Sequence, residues 1–474
     1  MDVKSSAFVS LAEIAIADPD LQFAVKKGTT TAVNKRLNAM FADGETHGEA
    51  LRQQAAEAKR RALRDLPQLL ERAEANMTAN GIQVLWANDG AEVTRHVIAI
   101  AQQHHVKTIA KAKSMVSEEI GLNHVLEAQG YRVVETDLGE FIVQLNNETP
   151  SHLVTPIIHK TKESIRDVMV REINMPHTDD AQEMAMFARE YMRDVFLQAD
   201  MGITGGNFII AETGSICLVT NEGNGRMCTT LPKVHVAIIG IEKIVETVDD
   251  YATLTQVLPR SGTGQVMTVY TQMINAPCQA KDPDGAEHVY VILVDNGRSD
   301  IYATDYAEAL ACIRCGACLN ACPVYQSTGG HAYGWVYSGP IGAVITPLLK
   351  GLENATPLPQ ASSLCGRCKQ VCPVDIDLPR MLIDLRRDSV KKGYTGSAWD
   401  ISMKLWAIGF SNPRFYTLGG FMARNTANPI FGRKSSVIKN LPGPLSAWTH
   451  YRDFPKFARK SFREMWQDRQ TRKG

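Results

Sequence analysis

The chain has 474 residues, enough for two or three domains with ample core. Its 51 Lys and Arg offset its 51 Asp and Glu, so charge points neither to nucleic acid nor to an anionic membrane surface as a partner. Of its ten cysteines, seven fall in two short stretches, which favours metal binding in a reducing compartment over a disulfide framework.

The N-terminus, MDVKSSAFVSLAEIAIADPD, breaks its apolar run with acidic residues and does not read as a signal peptide. No apolar run approaches the roughly 20 residues needed to span a bilayer. A soluble, cytoplasmic protein is expected, with membrane contact only through a partner or the C-terminal tail. Residues 1–74 read as a helical N-terminal segment, because AEAKRRALRDLPQLLERAEANM mixes strong helix formers with apolar residues at helical spacing. The positive run Lys59, Arg60, Arg61 and Arg64 reads as a solvated face.

From Gly81 the period changes. IQVLWA, VKTIAKA and YRVVETD are short runs rich in β-branched residues, separated by helical patterns at 91–105 and 117–129. FIVQL at 141–145, NFIIAE at 207–212, ICLVTN, VHVAIIG and VYVILVDN read as further strands, and 179–198 as a helix with its acidic residues at the start. Alternation of this kind predicts an α/β domain over 75–300 with a parallel sheet covered by helices. No G-x-G-x-x-G follows the first strand, so dinucleotide binding has no motif support. Gly-rich turns recur later, with Thr204, Gly205, Gly206, Glu212, Asn221 and Arg260 among or beside them. Plain turns would use the same residue types. Loops at strand ends are also where α/β sheets bind ligands, so these six residues are candidates for a small-molecule or anion cleft. Ser151, His152 and His159 are candidates for the same cleft, although a lone His more often sits in a core or on a surface.

Residues 301–394 hold the strongest signal. CIRCGACLNACP at 312–323 reads C-x2-C-x2-C-x3-C-P. Thiolates at this spacing suit a 4Fe-4S cluster, and in two-cluster ferredoxins the fourth cysteine, before Pro, serves the other cluster. Aligned backwards from its own Cys-Pro, SSLCGRCKQVCP matches the last three ligands and places Ser362 where the first would be. Two 4Fe-4S clusters are expected: one on Cys312, Cys315, Cys318 and Cys372, the other on Cys322, Cys365 and Cys368, one ligand short. Ser362 could supply the missing ligand, or Cys217, Cys228 or Cys278, or the iron could stay open or be filled by a partner, a small molecule or water. Zinc sites rarely pack four thiols into so short a run. Helical patterns flank both stretches, which favours a mainly α-helical ferredoxin module. Residues 395–474, rich in Trp, Phe, Arg and Lys, read as an arm that either meets a partner or packs back on the chain.

ETPSHLVTPIIHK, DMGITGGNFIIAETGSICLVTNEGN, GGHAYGWVYSGPIGAV and the paired cysteine stretches resemble the lactate-utilisation protein B family over nearly the full length. The resemblance implies a LUD domain, similar in fold to the NagB/RpiA/CoA-transferase group, followed by a two-cluster ferredoxin domain. It implies a cytoplasmic electron carrier that works with a cysteine-rich A-type subunit, similar to heterodisulfide reductase subunits, and a C-type LUD subunit. The activity so implied is oxidation of L-lactate to pyruvate. Each cluster carries one electron at a time, and no flavin or nicotinamide motif is present, so the chain reads as a relay in that reaction and not as its sole catalyst. Two other readings stand beside it: a redox-sensing or scaffold protein, and an acyl- or CoA-transfer enzyme using Glu212 or Glu222 as nucleophile.

Overall fold

The computed structural model of the chain describes residues 3–431, 437–450 and 452–472. Residues 1–2 of the expected helical segment, and 432–436, 451 and 473–474 of the expected arm, lie outside them. The chain divides into two units, Met1–Ser389 and Val390–Gly474.

In the first unit the strands are β1 (Gln83–Ala87), β2 (Thr108–Lys111), β3 (Arg132–Glu135), β4 (Met201–Thr204), β5 (Phe208–Ile210), β6 (Ser215–Thr220), β7 (Val234–Gly240), β8 (Ile244–Val245), β9 (Tyr270–Ile274) and β10 (His288–Val294). The sequences VHVAIIG and HVYVILV leave no polar face, and β7 and β10 are buried almost throughout. Strands of that kind need cover on both sides, as in parallel sheets. They stand inside a six-stranded parallel sheet ordered β1-β10-β7-β4-β2-β3. The helices Gly90–Gln103 and Leu122–Ala128 cover one face through Val93, Val97, Ile100, Leu122 and Leu126. The helix Leu66–Ala79 covers the other through Leu66, Leu69, Leu70 and Met77. A smaller sheet, β8-β5-β6-β9, is joined to the first by the turn Ile241–Lys243 directly after β7. This is an α/β domain built on a parallel sheet, preceded by helices and followed by a helical cysteine-bearing region.

Three local readings of the sequence are corrected. FIVQL is not a strand but part of the helix Leu138–Leu145. Its β-branched and aromatic residues favour strand, but Asp137 caps the segment through Gly139 N–H at 3.0 Å and Phe141, Ile142 and Val143 find cover as a helix. Thr204, expected in a Gly-rich turn, instead ends β4, an inner strand of the sheet. Lys59 is not on a solvated face. Successive residues of a helix point different ways, and Lys59 shares the buried stripe of Leu51, Ala55 and Ala62 in the helix Glu45–Arg64. Its Nζ donates to the carbonyls of Glu242 (2.8 Å) and Ile244 (3.2 Å), and burial, then Lys243, pushes its pKa down to about 7.

The N-terminal helices also hold the cysteine region. Arg36, on the helix Pro19–Met40, donates from Nη2 to the Val371 carbonyl at 3.0 Å, and Arg52 from Nη2 to the Cys372 carbonyl at 2.9 Å. The same segment therefore braces both the β7–β8 junction and the second cysteine stretch.

The second unit contains the helices Ser397–Ser411 and Pro413–Phe431, a short antiparallel pair β11 (Val437–Ile438) and β12 (Phe454–Pro455), and the helix Phe462–Thr471 with a Ser461–Glu464 capping box. Trp399, Leu405, Trp406, Phe415 and Phe421 stand exposed on its first two helices. Among the described residues, no helix is long and apolar enough to cross a membrane.

Candidate metal centre and adjoining cleft

The two cysteine stretches fold alike. Arg314 and Leu364, each one residue before a cysteine, take left-handed φ values of 60° and 53°. Gly316 and Gly366, each one residue after, take φ of 74° and 81°, which Gly adopts without penalty. Each Gly opens a short helix, Ala317–Ala321 and Arg367–Gln370. The backward alignment from Cys-Pro is thus also an alignment of backbone conformation, pairing Cys315 with Cys365, Cys318 with Cys368 and Cys322 with Cys372.

None of the ten cysteines is in a disulfide. Cys312, Cys315, Cys318 and Cys372 line one small cavity whose remaining walls include Leu153, Ile313, Ile341, Val374, Ile376 and Leu378. Burial, then the neighbouring Cys372, pushes the Cys315 thiol up to about 12, and burial raises Cys318, with Cys312, Cys315 and Cys372 adding to it. Backbone N–H groups aim at the sulfurs: Arg314 N–H donates to Cys312 Sγ and Ile376 N–H to Cys372 Sγ, both at 3.4 Å. Gathering thiols in an apolar hollow is unfavourable for them as thiolates unless cationic metal offsets the charge. Among the described residues, no three His, Cys, Asp or Glu side chains converge on a single metal ion. Four thiols spread round a shared hollow, with amide donors at the sulfurs, fit a multi-iron cube better than a lone tetrahedral ion.

Cys322, Cys365 and Cys368 form the other group. Burial, then Cys322, pushes the Cys368 thiol up to about 12, and Cys365 adds to the rise at both Cys322 and Cys368. Cys365 is exposed, whereas Cys315 is buried. The remaining cysteines belong to the α/β part. Cys217 lies in β6 beside Tyr251, Cys228 touches Thr136 Oγ1 at 3.4 Å, and Cys278 faces Gly285.

A cleft of about 500 Å³ opens at the carboxyl ends of the strands. The segments after β2 (Ala112–Val116), β3 (Asp137–Gly139) and β4 (Gly205–Asn207) and the β7–β8 turn (Glu242, Lys243) form one side, where open parallel sheets bind ligands. Ile313, Arg314 and Cys315 form another, so the first cysteine group abuts the cleft wall. The Arg314 guanidinium lies 4.7 Å over the Tyr337 ring, with Nη2 3.6 Å from Glu242 Oε1, and neither terminal nitrogen is hydrogen-bonded. Glu242 is engaged by Arg298 at 2.6 Å, and Arg298 also holds Glu119 at 2.9 Å. Burial opposes the Glu242 charge, but Arg298, Lys243 and Arg314 hold its pKa at about 2.

Of the six cleft residues expected from sequence, Gly205, Gly206 and Asn221 line it. The other three do not. Thr204 is fully buried, with Oγ1 2.8 Å from His235 Nε2. Glu212 accepts from Val248 N–H at 3.1 Å, at the start of the helix Val248–Gly262. Arg260 turns to the Ala39 carbonyl at 2.8 Å. Ser151, His152 and His159 also stay off the wall, although Leu153–Ile157 between them contribute to it. His152 is buried and accepts from Val154 N–H at 3.0 Å, its pKa pushed down to about 3 by burial and then Lys113; His159 pairs with Glu148 at 2.9 Å. Sequence reasoning missed Arg314, Lys243 and Tyr337. The charged residue inside the first C-x2-C loop is the signal by which Arg314 could have been found.

Comparison with known proteins agrees with this architecture. Residues 70–294 match the LUD domain, 308–376 a 4Fe-4S dicluster domain, and 390–471 the C-terminal domain of lactate utilisation protein B. Lactate utilization protein B of Bacillus licheniformis is 42% identical, over 94% of both chains. That of Bacillus subtilis is 41% identical, over 99% of this chain and 98% of its own. An uncharacterized electron transport protein of Escherichia coli, YkgF, is 41% identical over 90% of this chain and 89% of its own. The cysteine region carries two 4Fe-4S clusters. With its LUD sheet, its paired cysteine stretches and its C-terminal unit all matched along nearly the whole length, the chain belongs to the lactate utilisation protein B family, as an iron–sulfur protein of lactate utilisation.

Proposed function

We propose that the chain is the electron-transfer subunit of a cytoplasmic complex that oxidises L-lactate to pyruvate and so supports growth on lactate. The observation that carries this reading is the difference in depth between the two cysteine groups. One abuts the cleft through buried Cys315, while the other reaches the surface at Cys365.

Cys312, Cys315, Cys318 and Cys372 would hold the inner cluster, and Cys322, Cys365 and Cys368 the outer. Each cluster, when bound, accepts and releases one electron at a time. Cys322 and Cys372 cross between the stretches, which keeps the two groups adjacent and fixes a path from cleft to surface. The N–H donors at Cys312 and Cys372 lower the charge on the inner sulfurs and so favour uptake of an electron there.

The cleft would take a small carboxylate, with Arg314 as its anchor. A buried guanidinium with unmade hydrogen bonds is costly, and a carboxylate matches its fork. The partners in this reading are a cysteine-rich A-type subunit and a C-type LUD subunit. The exposed aromatic residues of the C-terminal unit support contact with one of them. Deleting the chain from its native host should abolish growth on L-lactate while sparing growth on pyruvate, and co-purification should recover both partners. Unimpaired growth of the deletion strain on L-lactate would defeat the reading.

A further inference from the structure

The outer group has three cysteines, and Ser362 holds the position in the second stretch that Cys312 holds in the first. In the first stretch Cys312 Sγ accepts a hydrogen bond from Arg314 N–H at 3.4 Å. In the second, Ser362 Oγ accepts from Leu364 N–H at 3.1 Å. Arg314 and Leu364 share the left-handed backbone that makes this bond possible, and the match continues through the glycines and short helices that follow. Ser362 is therefore the conformational equivalent of a ligand. Its loop is also fastened: Arg386, on the helix Leu378–Lys391, donates from Nη2 to the Ser362 carbonyl at 2.9 Å and from Nε to the Pro359 carbonyl at 2.8 Å. Cys217, Cys228 and Cys278 are each engaged elsewhere in the α/β part.

We propose that Ser362 is the fourth protein ligand of the outer cluster, bound to iron through Oγ. On binding, the hydroxyl proton passes to solvent, a water leaves the iron and an Fe–O bond forms; no electron is transferred. Oγ keeps a lone pair for the Leu364 N–H. Oxygen is a harder donor than thiolate and favours the more oxidised iron, so the outer cluster has a lower midpoint potential than a four-cysteine set would give it.

The test uses the full-length chain with both clusters loaded anaerobically, as wild type, Ser362→Ala and Ser362→Cys. In oxygen-17 water, electron–nuclear double resonance of the reduced outer cluster should show no solvent-oxygen coupling in wild type and a clear coupling in Ser362→Ala. Ser362→Cys should raise the outer midpoint and leave the inner one unchanged. On exposure to air, Ser362→Ala should form the three-iron species about tenfold faster than wild type. A solvent-oxygen coupling in wild type would overturn the proposal by itself, whether or not Ser362→Ala holds its cluster. An outer midpoint unmoved in Ser362→Cys would overturn it equally.

Discussion

Cys322 and Cys372 each sit before a proline at the end of one stretch, yet each faces the other stretch's group. Cys372 shares a cavity with Cys312, Cys315 and Cys318, and Cys322 stands beside Cys365 and Cys368. Cys312→Ser and Cys372→Ser should therefore alter the same paramagnetic signal, although 60 positions separate them, while Cys322→Ser should alter the other. Electron paramagnetic resonance of the three variants checks this, and different signals from Cys312→Ser and Cys372→Ser would mean the crossing is wrong. At this scale the sequence was most legible where chemistry fixes spacing, as in the cysteine runs. It was least legible where residue types common in turns fall inside a strand or a helix. Thr204 and Arg260 have the composition of a ligand loop, but one closes onto His235 within the sheet and the other onto the Ala39 carbonyl.

Between residues and whole fold, the β7–β8 turn connects most of the chemistry. It carries Glu242 and Lys243 to the cleft and receives Lys59 and Arg298 from behind. Arg298 is buried between Glu119 and Glu242, and Arg298→Met would take the cation from Glu119 and leave Glu242 to Lys243 and Arg314 alone. A loss of about 3–5 kcal/mol is expected, read by chemical denaturation at pH 7. The Glu242 pKa is depressed to about 2 from 4.5, so its ionised form stabilises wild type fully above pH 4.5 and that contribution fades as pH falls through 2. The deficit of Arg298→Met should accordingly stay level between pH 8 and 6. On the other side of the turn, Arg314→Gln should weaken binding of L-lactate or pyruvate to the cleft about tenfold, measured by calorimetry. Equal affinity in wild type and variant would remove Arg314 as the anchor. The central strands were legible because VHVAIIG and the VYVILV run bury every side. FIVQL was not, because its residues prefer a strand while Asp137 and its surroundings impose a helix.

At the scale of the molecule, the helical N-terminal segment, the LUD sheet and the cysteine region form one unit, tied by Arg36, Arg52 and Lys59 to distant carbonyls. Contacts of that kind leave no trace in local periodicity, which is why the sequence suggested successive domains and not this interlocking. The result places the cleft, the buried cysteine group and the group that reaches the surface at Cys365 within a single body. The central claim is that electrons from L-lactate pass through this chain. The most direct test is anaerobic addition of L-lactate to the complex isolated from its native host, with paramagnetic resonance of samples frozen over time. The account predicts that signals from both of this chain's clusters appear on the timescale of turnover and that Cys312→Ser prevents reduction of the outer cluster as well as the inner. Clusters that dithionite reduces but L-lactate leaves oxidised, in a complex still forming pyruvate, would contradict it.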